Sequence, residues 1–426
     1  MTFRAIAAAA GLALAAGLAG AAERTVAPGD SLAAAIEAAA PGDVIRLAAG
    51  LHRGPIVVDR PMTLEGAPGA VIEGSGEGSV VTVDAPEVTF RGLTIRGSGR
   101  VLSEEGSGVF VGKRGHRALI EGNRLEGNLC GIYLWGPEDA TARGNVIVGL
   151  SDRPYSELGS GVSVWNSPGS RVIGNDILHG RDGIYATTSR NNLFRDNRMR
   201  DLRFAVHYMY TNDSEVIGNV SVGNDVGCAI MFSHRLRVRD NLSLGDRDYG
   251  LLFNYANRSV VEGNAVRAGG DKCVFIYNAN FNRLRGNWFE GCAIGVHLTA
   301  GSERNEILGN AFVGNRTQVK YVGTRKLDWA GEAGGNYWSD NPAFDLDGDG
   351  LADAAYRPND VIDRVLWRNP RAELLVTSPA VRTIRWAQDA LPTLRPGGIV
   401  DTAPLQRPPE VPALRRDPEA PPGAGG

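Results

Sequence analysis

Sulfur, aromatic rings and net charge are all scarce in this chain of 426 residues, and each scarcity excludes something. Aromatics make up 7% of the residues, and the 4 cysteines are Cys130, Cys228, Cys273 and Cys292, none of them in a C-x-x-C pair. A formal net charge of -3 with no Lys/Arg block argues against nucleic acid as a partner. Beyond the first residues no apolar run approaches the length of a membrane span, so any contact with a membrane is borrowed from a partner. Helix formers do not occur in long runs either. What the chain does have is glycine, 56 residues of it, and 22 prolines.

The amino terminus reads as a secretory leader over residues 1–22. Arg4 is followed by an apolar stretch of Ala, Gly and Leu and by the small residues Ala19-Gly20-Ala21. Export implies a periplasmic protein.

The rest is organised around a recurring asparagine, preceded by glycine in most copies. It falls at Asn123, Asn145, Asn175, Asn197, Asn219, Asn241, Asn264, Asn287 and Asn310, so the intervals are 22, 30, 22, 22, 22, 23, 23 and 23 residues. The 30 is one period of 22 with an insertion of 8. A fixed period near 22 without helical spacing inside it predicts an all-β protein, a parallel β-helix in which each repeat is one coil. Parallel strands joined by crossovers make that helix right-handed. An apolar residue stands three before each Asn, from Ile120 to Ile307, and usually another two after it, such as Leu125 and Phe312. Sites five apart would face opposite sides of a straight strand, so the chain turns a corner between them. Gly and Asn suit the left-handed conformation of that corner, and the amides stack there as a ladder.

Asp30 and Ser31 cap a short helix from Leu32 to Ala39 that covers the open first coil. The helix occupies residues 23–325, followed by a segment 326–405 with an acidic loop and a docking helix, and by a Pro-rich tail 406–426 expected to be disordered. No two cysteines match in the register of neighbouring coils, which lie about 4.8 Å apart. A disulfide tolerates Cα separations of only about 7 Å, so all four are expected as free thiols.

Each coil has a second strand whose inward positions are apolar and whose outward positions are rich in Trp, Tyr, Met and His. Trp135, Trp165, Tyr185, Tyr277 and His297 form an expected binding face. On the same face His207 and Met209 are two apart, Met231 lies one period after Met209, and His234 follows. Imidazole and thioether together suit Cu(I), because soft sulfur selects it over harder ions. The plainer alternative is that these side chains pack under an insertion such as residues 149–160. Asp345, Asp347, Asp349 and Asp353 follow the first part of a D-x-D-x-D-G calcium loop, with Tyr356 where a closing Glu belongs. A sugar-cleaving β-helix would need converging carboxylates. The outward columns contain none, which leaves only loop residues such as Asp182 and Asp213.

Four stretches carry a family resemblance: His207-Tyr208-Met209-Tyr210-Thr211-Asn212-Asp213-Ser214, Arg247-Asp248-Tyr249-Gly250 through Asn257, Lys272-Cys273-Val274-Phe275 through Asn282, and Asn336-Tyr337-Trp338-Ser339-Asp340-Asn341. Together they resemble the NosD family, periplasmic accessory proteins for maturing nitrous oxide reductase. The resemblance implies a non-catalytic role in assembling the reductase's copper-sulfur centre. The implied partners are the membrane and ATPase subunits of an ABC transporter, a copper chaperone and the reductase itself. It also gives a task to residues 374–405, whose helical pattern at Val381, Ile384, Ala387, Gln388 and Leu391 is too short to span a bilayer: docking on the transporter's membrane subunit.

Overall fold

The computed structural model describes residues 21–391 and 397–422, so the expected leader lies almost wholly outside the described residues. Three long parallel sheets form a right-handed β-helix. Sheet A has 13 strands, sheet B 13 and sheet C 12, each ordered along the axis by successive coils. Within one coil the chain runs through sheet A at Leu119–Glu121, turns the asparagine corner, forms sheet B at Arg124–Glu126, and then crosses to sheet C at Cys130–Trp135. Strand registers match the repeat: Val172 sits beside Phe194, Phe194 beside Val216, and Val216 beside Val238.

The asparagine corner explains the period. The residue before the Asn takes the left-handed conformation, with φ 62° at Gly122 and 53° at Asp196, and the Asn side chain turns inward. There it bonds along the axis. Asn219 Nδ2 donates to Asn241 Oδ1 at 3.0 Å and to Phe194 O at 2.9 Å. Its Oδ1 accepts from Asn197 N at 3.1 Å and Asn197 Nδ2 at 2.9 Å. All nine asparagines are buried, and the ladder gains a tenth member, Asn336, whose Oδ1 accepts from Asn310 Nδ2 at 3.0 Å. The coils therefore run past residue 325 to the strand Tyr337–Trp338.

Both ends are closed. At the start, helix α1 (Leu32–Glu37) buries Leu32 and Ile36, and Ser31 Oγ accepts from Ala34 N at 3.2 Å. Asp30, also expected to cap, instead accepts from Ala27 N. At the far end Trp338 stacks on Phe312 (4.4 Å between ring centres) and on Tyr356 (4.6 Å), and its Nε1 donates to the buried Asp401 at 2.8 Å. Helices α2 (Val361–Arg368) and α3 (Pro379–Ala390) follow the cap, and the short strand Ile399–Val400 pairs with Leu327–Asp328.

Two expectations are corrected. Cys273 and Cys292 form a disulfide with Cα atoms 5.6 Å apart, leaving Cys130 and Cys228 as buried thiols. The bond joins Cys273, in the sheet C strand Lys272–Tyr277, to Cys292, in the turn after the sheet B strand Trp288–Glu290 of the next coil, a proximity that comparing equivalent positions between coils does not test. The tail expected to be disordered, as far as residue 422, lies along sheet B. Val411 and Ala413 are buried against Val220, Leu242 and Ala265, Arg416 Nε donates to Asp240 O at 2.8 Å, and Arg198 Nη1 donates to Glu419 O at 2.8 Å. Outward apolar residues in these coils give even a Pro-rich segment something to bury.

Candidate functional site

The outer face of sheet C gathers most of the expected residues. Trp135 lies between Lys113 of the preceding coil (4.6 Å) and Trp165 of the next (ring centres 5.2 Å apart, nearly parallel). The pair floors a groove of about 530 Å³ with Tyr133, Glu105, Arg181 and Tyr185 around it. Tyr185 leads to His207, ring centres 5.0 Å apart. Further along the axis His297 stacks on Phe275 at 4.8 Å, and burial, with Lys320 and Lys272 nearby, lowers its pKa to about 4. Tyr277 stays exposed beside Phe275.

Met209 and Met231 are direct register partners in adjacent strands. His207 is two residues before Met209 and on the same face, but it is not exposed as expected: only 6% of it meets solvent. Phe204 meets its ring edge-on at 4.9 Å, and Asp182 Oδ2 accepts from Nδ1 at 3.1 Å. Nε2 is buried with no hydrogen-bond partner among the described residues. His234 lies beyond the bend at Phe232, paired with Asn257, so the structure groups three of the four expected copper residues and sets the fourth past the corner. The insertion 149–160 does not cover them. Its Leu150, Tyr155 and Leu158 pack on Leu129 at the opposite end of the strands.

Two features escaped the column pattern. Asp182 is no loop residue but the first residue of the strand Asp182–Thr187, fully buried. Gly183 after it faces inward, because a Cβ there would meet Met199 at 3.0 Å and Ala205 O at 2.6 Å. This kink puts Asp182 on the outer face, which the strict alternation of the later columns conceals. Burial by itself would raise its pKa, but the hydrogen bonds from His207 and Arg203 outweigh this and hold the carboxyl below its usual range. The second feature is a stack of exposed rings, Tyr210, Phe232 and Tyr255, with centres 5.2 and 5.1 Å apart at left-handed corner positions.

The acidic loop is preorganised. Asp345, Asp347 and Asp349 bring carboxylate oxygens within 4.8 Å of one another. Asp353 is not in that cluster and accepts from Leu346 N at 2.7 Å. Tyr356 serves the cap, its hydroxyl donating to Asp340 at 2.9 Å.

Fold and face together define a parallel β-helix protein that presents imidazole, thioether and aromatic groups along one sheet. A family described as periplasmic copper-binding protein (NosD) matches residues 149–343. A probable ABC transporter binding protein NosD of Pseudomonas aeruginosa is 41% identical over 85% of this chain and 88% of the relative. Its counterpart in Stutzerimonas stutzeri is 39% identical over 85% and 86%. The chain belongs to the NosD family. Among solved structures, an α-1,3-glucanase of Streptomyces thermodiastaticus aligns at 18% identity and TM-score 0.49, over 69% of this chain and 67% of that one. The mannuronan C-5 epimerase A-module of Azotobacter vinelandii aligns at 16% and 0.47, over 68% and 90%.

Among the described residues no helix is long and apolar enough to cross a membrane.

Proposed function

We propose that this protein is a non-catalytic periplasmic accessory factor that passes Cu(I) toward the copper-sulfur centre of nitrous oxide reductase, working with an ABC transporter and a copper chaperone. The observation that carries the reading is the bare Nε2 of His207, buried and unpartnered, on the face that holds the Met209–Met231 pair. An imidazole nitrogen and two thioethers form a soft donor set. Copper is cargo here. Two thioethers hold it loosely enough for hand-over, and the burial of His207 keeps water away from that nitrogen. The disulfide Cys273–Cys292 fits an oxidising compartment.

Anaerobic titration of the mature protein with Cu(I) tests this. Stoichiometric binding is expected, lost in Met209→Ala, Met231→Ala. Equal binding by that double variant, with active reductase still produced, would sink the site. Trp135, sandwiched between Lys113 and Trp165, has no free face for a sugar, which disfavours the carbohydrate alternative. Oligosaccharide binding without copper binding would reverse that judgement. For the loop Asp345–Asp349 we propose Ca²⁺, and calorimetry of the same preparation with Ca²⁺, lost in Asp347→Ala, checks it.

A further inference from the structure

We infer that Asp182 and Arg203 are positioning residues that fix which nitrogen of His207 is offered to a ligand. This deepens the copper reading and rests on it for its consequence, while the imidazole geometry stands without it.

Arg203 approaches Asp182 as a fork, Nε to Oδ1 at 2.9 Å and Nη2 to Oδ2 at 2.8 Å. Both carboxylate oxygens are thereby taken, and Oδ2 accepts a further bond from His207 Nδ1 at 3.1 Å. The carboxylate cannot turn away from the fork, so it presents an acceptor to Nδ1 and keeps the proton there. Nε2 is then a lone pair. A proton on Nε2 would be a buried donor with no acceptor, which is costly. The ring is also held laterally by Phe204 and Tyr185, and Arg203 lies 4.3 Å from the centre of the Phe204 ring. Metal-bound histidines commonly donate their other nitrogen to a carboxylate in this way, and loss of that partner weakens binding about 10- to 100-fold.

Two near-isosteric variants discriminate. An amide at 182 with its oxygen at the Oδ2 position keeps the bonds from Arg203 Nη2 and His207 Nδ1 and gives up only the one from Arg203 Nε, so Asp182→Asn retains the tautomer. Asp182→Leu removes the acceptor of Nδ1 altogether. The expected ¹⁵N signals of His207 in the metal-free wild type and in Asp182→Asn show a protonated Nδ1 and a bare Nε2. Asp182→Leu should shift the proton toward Nε2 and weaken Cu(I) binding at least about tenfold. A role in folding alone would not move the tautomer. Met209→Ala, Met231→Ala should leave the ¹⁵N signals unchanged. A wild type already protonated at Nε2, or an Asp182→Leu spectrum identical to wild type, would overturn the inference. If wild type takes up no Cu(I), the copper reading fails, and the tautomer measurement still decides the positioning role.

Discussion

At the scale of single residues the asparagine corner does the most structural work for its size. Each amide satisfies two backbone groups of the preceding coil and bonds the next asparagine of the ladder, so its loss is felt beyond its own bonds. Asn219→Ala removes the acceptor of Asn197 N and the donor to Phe194 O, both buried. A cost of about 3 kcal/mol is expected, read as a fall in urea stability, since unsatisfied buried groups cost about 1–3 kcal/mol each. Asn336→Ala, at the capped end, leaves Asn310 N and Ile307 O unpaired in the same way and should cost as much. Equal stability of Asn219→Ala and wild type would show that water replaces the amide. His207 and Asp182 illustrate the opposite arrangement. There a buried polar nitrogen is left bare beside a carboxylate whose two oxygens are both bonded.

At the scale of elements, the tail from Glu410 to Ala420 crosses several coils of sheet B and covers residues that would otherwise be outward and apolar. Val220, Leu242 and Ala265 lie under Val411 and Ala413, and Arg416 reaches Asp196 Oδ1 at 3.4 Å on the way. Truncation after Arg407 should lower stability by about 2 kcal/mol, the burial of two to three small apolar side chains offset by the chain entropy recovered. Denaturant unfolding measures it, and the truncated protein should bind a hydrophobic dye that the full chain excludes. An unchanged midpoint together with unchanged dye binding would mean that the tail lies on the sheet without stabilising it.

At the scale of the whole molecule, the cap at the far end joins two roles that one stretch of sequence was expected to serve. Of residues 374–405, the portion from Ile399 is internal: Val400 and Asp401 are fully buried, and Leu405 N donates to Asn336 O. Residues 392–396 lie outside the described ones. Helix α3 packs by Val381 and leaves Ile384, Leu391 and Trp386 exposed, Trp386 by 70%. Truncation after Thr377 would therefore damage the cap as well as remove the helix. The cleaner test of docking on the transporter is Ile384→Ser, Trp386→Ser, Leu391→Ser. Loss of co-purification with the transporter is expected while the melting transition stays in place. Retained co-purification would refute a docking role for α3.

The sequence by itself determined the coil, its period, the inward columns and the buried asparagine ladder, because a solenoid repeats one local problem and each copy must solve it with the same residue types. It also placed Met209 beside Met231, since one period of separation is one step along the axis. What did not repeat was decided only in three dimensions. The glycine kink itself recurs, at Gly131, Gly161, Gly183, Gly227 and Gly250, but only Asp182 among the residues just before it is a carboxylate, and its place beside His207 on the outer face is a matter of the fold. The Cys273–Cys292 bond links the sheet C strand of one coil to the turn that enters sheet C in the next, an offset between coils that equivalent positions do not reveal. The tail found its place only because particular coils carry apolar residues outward. In each case contacts between residues of different periods outweighed the local pattern, and such contacts are a property of the folded surface, not of the spacing along the chain.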